Sequence, residues 1–175
     1  MNAASRNEAE NPTKANRGSV RTMQIIFDEE QYPDERLQGF FTQAAESALY
    51  RKSIDAALCE ISLSFVTRDE IRALNFKYRG NDSPTDVLSF PMYCGAEEIR
   101  EAGSVSAPVI LGDVVICREL AGQQAEDIGQ AIEREIVYLF THSVLHLLGY
   151  DHEEETERIV MREAEDKIMA EIYME

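Results

Sequence analysis

Positive charge is scarce in this 175-residue chain: 17 lysines and arginines stand against 33 aspartates and glutamates, a formal net charge of −16. Proteins that bind nucleic acid usually present a basic surface, so this balance argues at first sight against such a role. Long apolar runs are missing too. None approaches the roughly 18 residues of a membrane span, which excludes an integral helical membrane protein. Cysteine is limited to Cys59, Cys94 and Cys117, far apart and in no CxxC pair. An odd, sparse set is no disulfide framework; it fits a reducing, cytoplasmic setting with buried or incidental thiols. Residues 1–22 lack the apolar stretch of a secretory signal. Rich in Asn, Ala, Ser, Thr and charge, they read as a disordered N-terminal extension, leaving residues 23–175 as one folded domain.

What is present is ordinary globular composition, 44% hydrophobic and 29% charged. A chain of this length forms a single core and buries roughly two-thirds of its unfolded surface. Met23 to Phe27 predicts a strand, and Pro33-Asp34-Glu35 opens a helix whose apolar positions keep helical spacing to about Lys52. Alternation over residues 58–66 predicts a half-buried strand. Thr67 and Glu70 make a capping box for a helix that Gly80 ends. Residues 85–90 read as a short strand, 92–106 as a Gly/Ala/Glu loop, and 109–117 as a strand interrupted by Gly112. Helical segments at about 118–126, 130–148 and 153–173 complete the chain. The expected fold is α+β: one small, mixed, four-stranded sheet packed on about five helices, a central one carrying an HxxxH pair.

All three histidines lie within the eleven residues HSVLHLLGYDH, from His142 to His152. His142 and His146 are four apart, so on a helix they share a face about 6 Å apart and can grip one metal ion. Gly149 can take the left-handed conformation that ends a helix, letting His152 swing back as a third ligand. Three imidazoles around a tetrahedral Zn²⁺ leave one position open for water, the arrangement of a catalytic site rather than a closed structural one. The HxxxHxxGxxH spacing is that of metzincin proteases, HExxHxxGxxH, in which the glutamate after the first histidine is the general base. Here that position is Ser143, which cannot accept a proton at neutral pH. The metal site is kept and the protease base is not. A zinc peptidase is therefore the second enzyme reading, and a non-catalytic protein with structural zinc is a third.

The other dense stretch is LNFKYRGNDSPTDVLSFP, residues 74–91, where Gly80, Asn81, Asp82 and Pro84 redirect the chain from helix to strand. Arg79 sits at the helix end. A cation there complements the helix dipole, and a guanidinium beside a strand can also hold a phosphate bidentately. Asp113 and Asp151 are candidates for orienting a ligand imidazole, or equally are turn and capping residues. Asp86 bonds backbone in its turn.

Taken together, LNFKYRGNDSPTDVLSFP (74–91), LGDVVIC (111–117) and HSVLHLLGYDH (142–152) resemble the YbeY family of bacterial endoribonucleases. Glu157, Met161 and Glu165 also fall in that family's register, and the resemblance covers essentially everything after residue 22. It implies a metal-dependent hydrolase of single-stranded RNA, acting in 16S rRNA 3′-end maturation and ribosome quality control. By the same resemblance, His142, His146 and His152 are the ligands of one Zn²⁺ per chain, and Arg79 is the essential arginine beside it. Arg79 and His146 are then the catalytic candidates, and Arg79 and Lys77 the candidate RNA contacts. The implied partners are rRNA and the ribosome or small-subunit proteins, with no DNA and no membrane. One position departs from the family: where Gly usually follows the first histidine, this chain has Ser143, which adds a hydroxyl near the site and suits a helix better. No side chain in the motifs is an evident general base, so water activated by the metal, or the RNA 2′-OH, must serve.

The charge is unevenly spread. Residues 1–22 carry four basic residues against two acids, and residues 151–175 carry three against ten. Residues 67–91 are locally neutral, with four of each sign. Total charge therefore argues against tight binding to arbitrary duplex phosphates, where counterion release dominates. It leaves room for a small cationic cleft that accepts one exposed strand.

Overall fold

The computed structural model describes residues 23–27, 33–105, 108–152 and 154–173. The expected extension 1–22 and the acidic stretch 28–30 lie outside the described residues. Four strands form one sheet in the order β1 (Gln24–Phe27), β2 (Cys59–Val66), β4 (Val109–Cys117), β3 (Val87–Pro91). β1, β2 and β4 run parallel, and β3 pairs antiparallel with β4 at one edge. The sheet is thus mixed and four-stranded, as the sequence predicts.

Among the described residues six α-helices surround it: α1 (Glu35–Arg51), α2 (Arg68–Arg79), α3 (Ala96–Val105), α4 (Arg118–Ile128), α5 (Ile132–Leu147) and α6 (Glu155–Tyr173). Five are the helices expected from periodicity. The sixth, α3, occupies the segment read as a loop. Its pattern is faint because one large apolar side chain, Ile99, anchors it, while Glu97 and Glu98 fill the first turn. Its entry is fixed by the Cys94 N–H, which donates to Glu98 Oε2 at 2.8 Å. α2 begins at the expected capping box, with Thr67 Oγ1 accepting from the Glu70 N–H and Glu70 Oε2 accepting from the Thr67 N–H at 2.7 Å. α1 is capped by Asp34, whose Oδ1 accepts from the Leu37 N–H at 2.8 Å.

β2 alternates buried Cys59, Ile61, Leu63 and Phe65 with half-buried Glu60, Ser62, Ser64 and Val66. The first set faces the main core between the sheet and α1, α5 and α6; a smaller cluster of Ile71, Leu88, Val115 and Cys117 lies under α2. α5 is central, packing against α1, α4, α6, β3 and β4. Phe140 on α5 meets Phe41 on α1 with ring centroids 4.8 Å apart. Fully buried side chains of this size each contribute about 1.5–3 kcal/mol. Among the described residues, no helix is long and apolar enough to cross a membrane.

Gly112 does not interrupt β4 but marks an irregularity in its register with β2, between Glu60 and Ile61. At φ +147°, a Cβ on Gly112 would lie 2.2 Å from the Phe90 carbonyl oxygen and 2.9 Å from Leu147 Cδ2. Only glycine lets the last turn of α5 settle on β4 at this point. That contact brings the histidine end of α5 beside β3.

Candidate functional site

α5 carries His142 and His146 on one face, and the chain turns sharply just after it. Leu148 caps the helix and Gly149 adopts φ +81°. The Gly149 N–H donates to the His146 carbonyl and the Tyr150 N–H to the Leu145 carbonyl, both at 3.0 Å, a Schellman closure. Any Cβ at Gly149 would lie 2.8 Å from Gly95 Cα. The turn therefore needs glycine on two counts, and it returns His152 to the α5 histidines. The three rings lie 4.6, 5.0 and 5.7 Å apart by centroid. One ring nitrogen from each lies within 4.8 Å of the other two.

Each α5 ring is fixed through its Nδ1. That of His142 is 2.7 Å from Glu165 Oε1, and that of His146 is 3.0 Å from the Tyr150 carbonyl oxygen. Glu165, on the inner face of α6, is buried, and its Oε2 accepts from the Tyr138 hydroxyl at 3.2 Å. Burial, and then the Glu165 charge, push the Tyr138 hydroxyl up to about 12, so it stays a donor. Burial, followed by the neighbouring His142 and His152, draws His146 below its usual value and favours the neutral ring that a metal ligand requires.

Metal fit follows from the proton positions. A carbonyl and a carboxylate both accept, so both rings carry their proton on Nδ1. Their Nε2 atoms then present lone pairs to each other across 3.1 Å. Two lone pairs that close repel, and a cation placed between the nitrogens makes the pose attractive. The group among the described residues that could hold a metal is this trio.

The histidines open onto a cavity of about 590 Å³, also lined by Arg79, Asp86, Val87, Ser89, Tyr93 and Asp151. Arg79, the last residue of α2, reaches round the edge of β3, where its Nη2 donates to the Ser89 carbonyl at 3.4 Å. Asp86 accepts from the Val87 N–H and the Gln124 side chain, each at 2.9 Å. Cys94 is exposed and borders the cavity, but does not join the trio; Cys59 and Cys117 are buried.

Not every expected residue converges here. Lys77 is exposed, with Nζ 4.8 Å from the Tyr78 ring centroid, and does not line the cavity. Asp113 is exposed on β4, opposite Phe90, also outside the cavity. Asp151 borders the cavity, yet its Oδ1 accepts from the His152 N–H at 2.7 Å rather than from a ring. The ring partners are instead Glu165 and the Tyr150 carbonyl. Glu165 was legible as a carboxylate within the apolar stripe Met161, Ala164, Ile168, Met169 and Ile172 of α6; a backbone carbonyl leaves no such signal. Ser143 is fully buried, and its Oγ has no hydrogen-bond partner, so its hydroxyl faces the core and not the cavity.

The family model described as Endoribonuclease YbeY matches residues 24–173. Endoribonuclease YbeY of Thermoanaerobacter sp. (strain X514) is 52% identical over 117 residues, covering 63% of this chain and 72% of that protein. The protein of the same name from Pelotomaculum thermopropionicum is 43% identical over 141 residues, covering 81% and 90%. The solution structure of a Thermotoga maritima protein superposes with a TM-score of 0.58 at 27% identity, covering 86% of this chain and 89% of that one. With the family model running from β1 to the end of α6, and more than half the aligned positions shared with the Thermoanaerobacter protein, this chain belongs to the YbeY endoribonuclease family.

Proposed function

We propose that this chain is a zinc-dependent endoribonuclease that cuts single-stranded RNA, acting in 16S rRNA 3′-end maturation and ribosome quality control in the cytoplasm. One observation carries the reading: two histidine Nε2 atoms face each other at 3.1 Å, with a third histidine closing the group, on the cavity that Arg79 lines. The donor set is three imidazoles with no carboxylate, which suits zinc and not the hard cations magnesium and calcium. Among the described residues no fourth side chain joins the trio, which favours a catalytic over a structural site.

His142, His146 and His152 would hold the ion, which supplies Lewis-acid polarisation of a phosphate oxygen and lowers the pKa of water. Glu165 and the Tyr150 carbonyl keep two of the rings oriented and proton-bearing at Nδ1. Arg79 binds the phosphate and neutralises charge as it builds in the transition state. The local neutrality of residues 67–91, within an otherwise acidic chain, suits a strand presented by the ribosome or a small-subunit protein rather than free duplex.

The peptidase reading loses ground at Ser143. The position that bears the protease base holds a hydroxyl turned into the core. The test is incubation of metal-quantified protein with single-stranded RNA and with an unfolded polypeptide, beside His146→Ala and Arg79→Ala variants. RNA alone should be cut, and H146A should lose metal and cleavage together. Cleavage of polypeptide but not RNA, or undiminished RNA cleavage by metal-free protein, would overturn the proposal.

A further inference from the structure

β3 is an edge strand, and its hydrogen-bonding phase is fixed at both ends. The Cys117 N–H donates to the Asp86 carbonyl at 2.8 Å and the Met92 N–H to the Leu111 carbonyl at 3.0 Å. In an antiparallel pair only alternate opposed residues exchange bonds. With Leu88 opposite Val115 and Phe90 opposite Asp113, the even-numbered residues face β4. Val87, Ser89 and Pro91 therefore turn their backbone groups outward, and all three line the histidine cavity.

An outward row of alternating donors and acceptors is a template for another strand. Here the row is broken. The Val87 N–H is taken by Asp86 Oδ1 at 2.9 Å, the Ser89 carbonyl is taken by Arg79 at 3.4 Å, and Pro91 has no N–H. The donor left on this edge is the Ser89 N–H. In extended backbone the N–H and C=O of one residue point the same way, so this N–H lies beside the guanidinium that bonds its own carbonyl. The outward carbonyls of Val87 and Pro91 are two residues away, about 7 Å along the strand.

We infer that the Ser89 N–H and the Arg79 guanidinium form a clamp for one phosphate of single-stranded RNA, holding the strand along the edge of β3 beside the histidines. The inference rests on the endoribonuclease reading above. A cationic fork paired with a backbone N–H matches an anionic oxygen, as in other backbone-built phosphate sites. It does not match an extended peptide, which needs the donor–acceptor alternation this edge lacks.

Ser89→Pro tests it by removing the N–H in a phase that Pro91 already occupies, where an edge strand tolerates proline. Ser89→Ala removes only the hydroxyl. KM and kcat would be measured on a short single-stranded RNA with zinc-loaded protein. S89P should raise KM about ten-fold or more over that of S89A, which keeps the N–H, the scale of a lost hydrogen bond to a charged group. Should S89P misfold by circular dichroism, the α-hydroxy analogue of serine at position 89 makes a backbone ester lacking the same N–H and decides the question. Equal KM for S89A and the N–H-less variant, with RNA cleavage intact, overturns the clamp and spares the endoribonuclease reading. Failure of zinc-loaded wild type to cut RNA overturns that reading itself. Competition by an extended peptide whose affinity falls in S89P makes the edge a strand-docking site and also overturns the clamp.

Discussion

His142 Nδ1 stands 2.7 Å from Glu165 Oε1, joining the C-terminal half of α5 to the inner face of α6 across 23 residues of sequence. Glu165 is 3% exposed and also holds the Tyr138 hydroxyl. The carboxylate thereby fixes ring orientation and tautomer, and it makes the opposite nitrogen more electron-rich. Through this side chain α6 acts directly on a histidine ring.

Glu165→Gln keeps the size and an acceptor but removes the charge. Metal affinity should fall about ten-fold or more, in line with other changes to partners of ligand histidines. Competition with a chromogenic chelator measures it, and thermal melting of the metal-free protein serves as the control. Unchanged affinity would mean that α6 supports the fold and not the metal.

Gly149→Ala attacks the turn. It places a side chain at φ +81° and drives a Cβ to 2.8 Å from Gly95 Cα. Strain of this kind costs about 1–3 kcal/mol, visible in thermal or urea unfolding. His152 hangs from this turn, and the Tyr150 carbonyl that orients the His146 ring belongs to it, so metal should bind more weakly as well. A variant that is destabilised yet keeps full metal affinity would show that His152 is not held by the Gly149 turn.

The histidine trio could be read in advance because its information is local: an i, i+4 pair and a turn glycine sit within eleven residues. The capping box of α2 and the alternation of β2 are legible for the same reason. α3 escaped because Ile99 alone marks its buried face amid Glu, Ala and Gly. The partners of the rings depended on tertiary packing. Asp113 and Asp151 stand near site motifs in sequence, whereas Glu165 reaches His142 only once α6 folds back on α5. The phase of β3 likewise exists only through its pairing with β4, so nothing in residues 87–91 alone separates the outward Ser89 N–H from the inward one of Phe90.

Arg79→Lys separates charge from shape. Lysine keeps the positive charge but presents a point donor where guanidinium offers a planar fork. RNA cleavage should drop by about ten-fold or more while zinc content stays at wild-type level, because Arg79 reaches the cavity from α2 and β3 and not from the histidine helix. Steady-state kinetics with metal analysis checks both halves. Loss of zinc in R79K would mean that Arg79 supports the metal site and does not act chiefly on phosphate.

Ser143 offers a stabilising substitution. Its Oγ is buried without a partner, one residue from His142 and turned away from the cavity. A buried hydroxyl left unpaired costs about 1–3 kcal/mol. Ser143→Ala removes that cost and introduces the best helix former, so the protein should gain about 1 kcal/mol, a rise in melting temperature of about 3 °C. Ser143→Gly also removes the hydroxyl but gives back about 1 kcal/mol of helix propensity, so its melting temperature should stay close to wild type. RNA cleavage should be the same in all three, since the side chain at 143 meets neither substrate nor ligand nitrogen. Reduced cleavage by S143A at wild-type metal content would show that the hydroxyl serves the site after all.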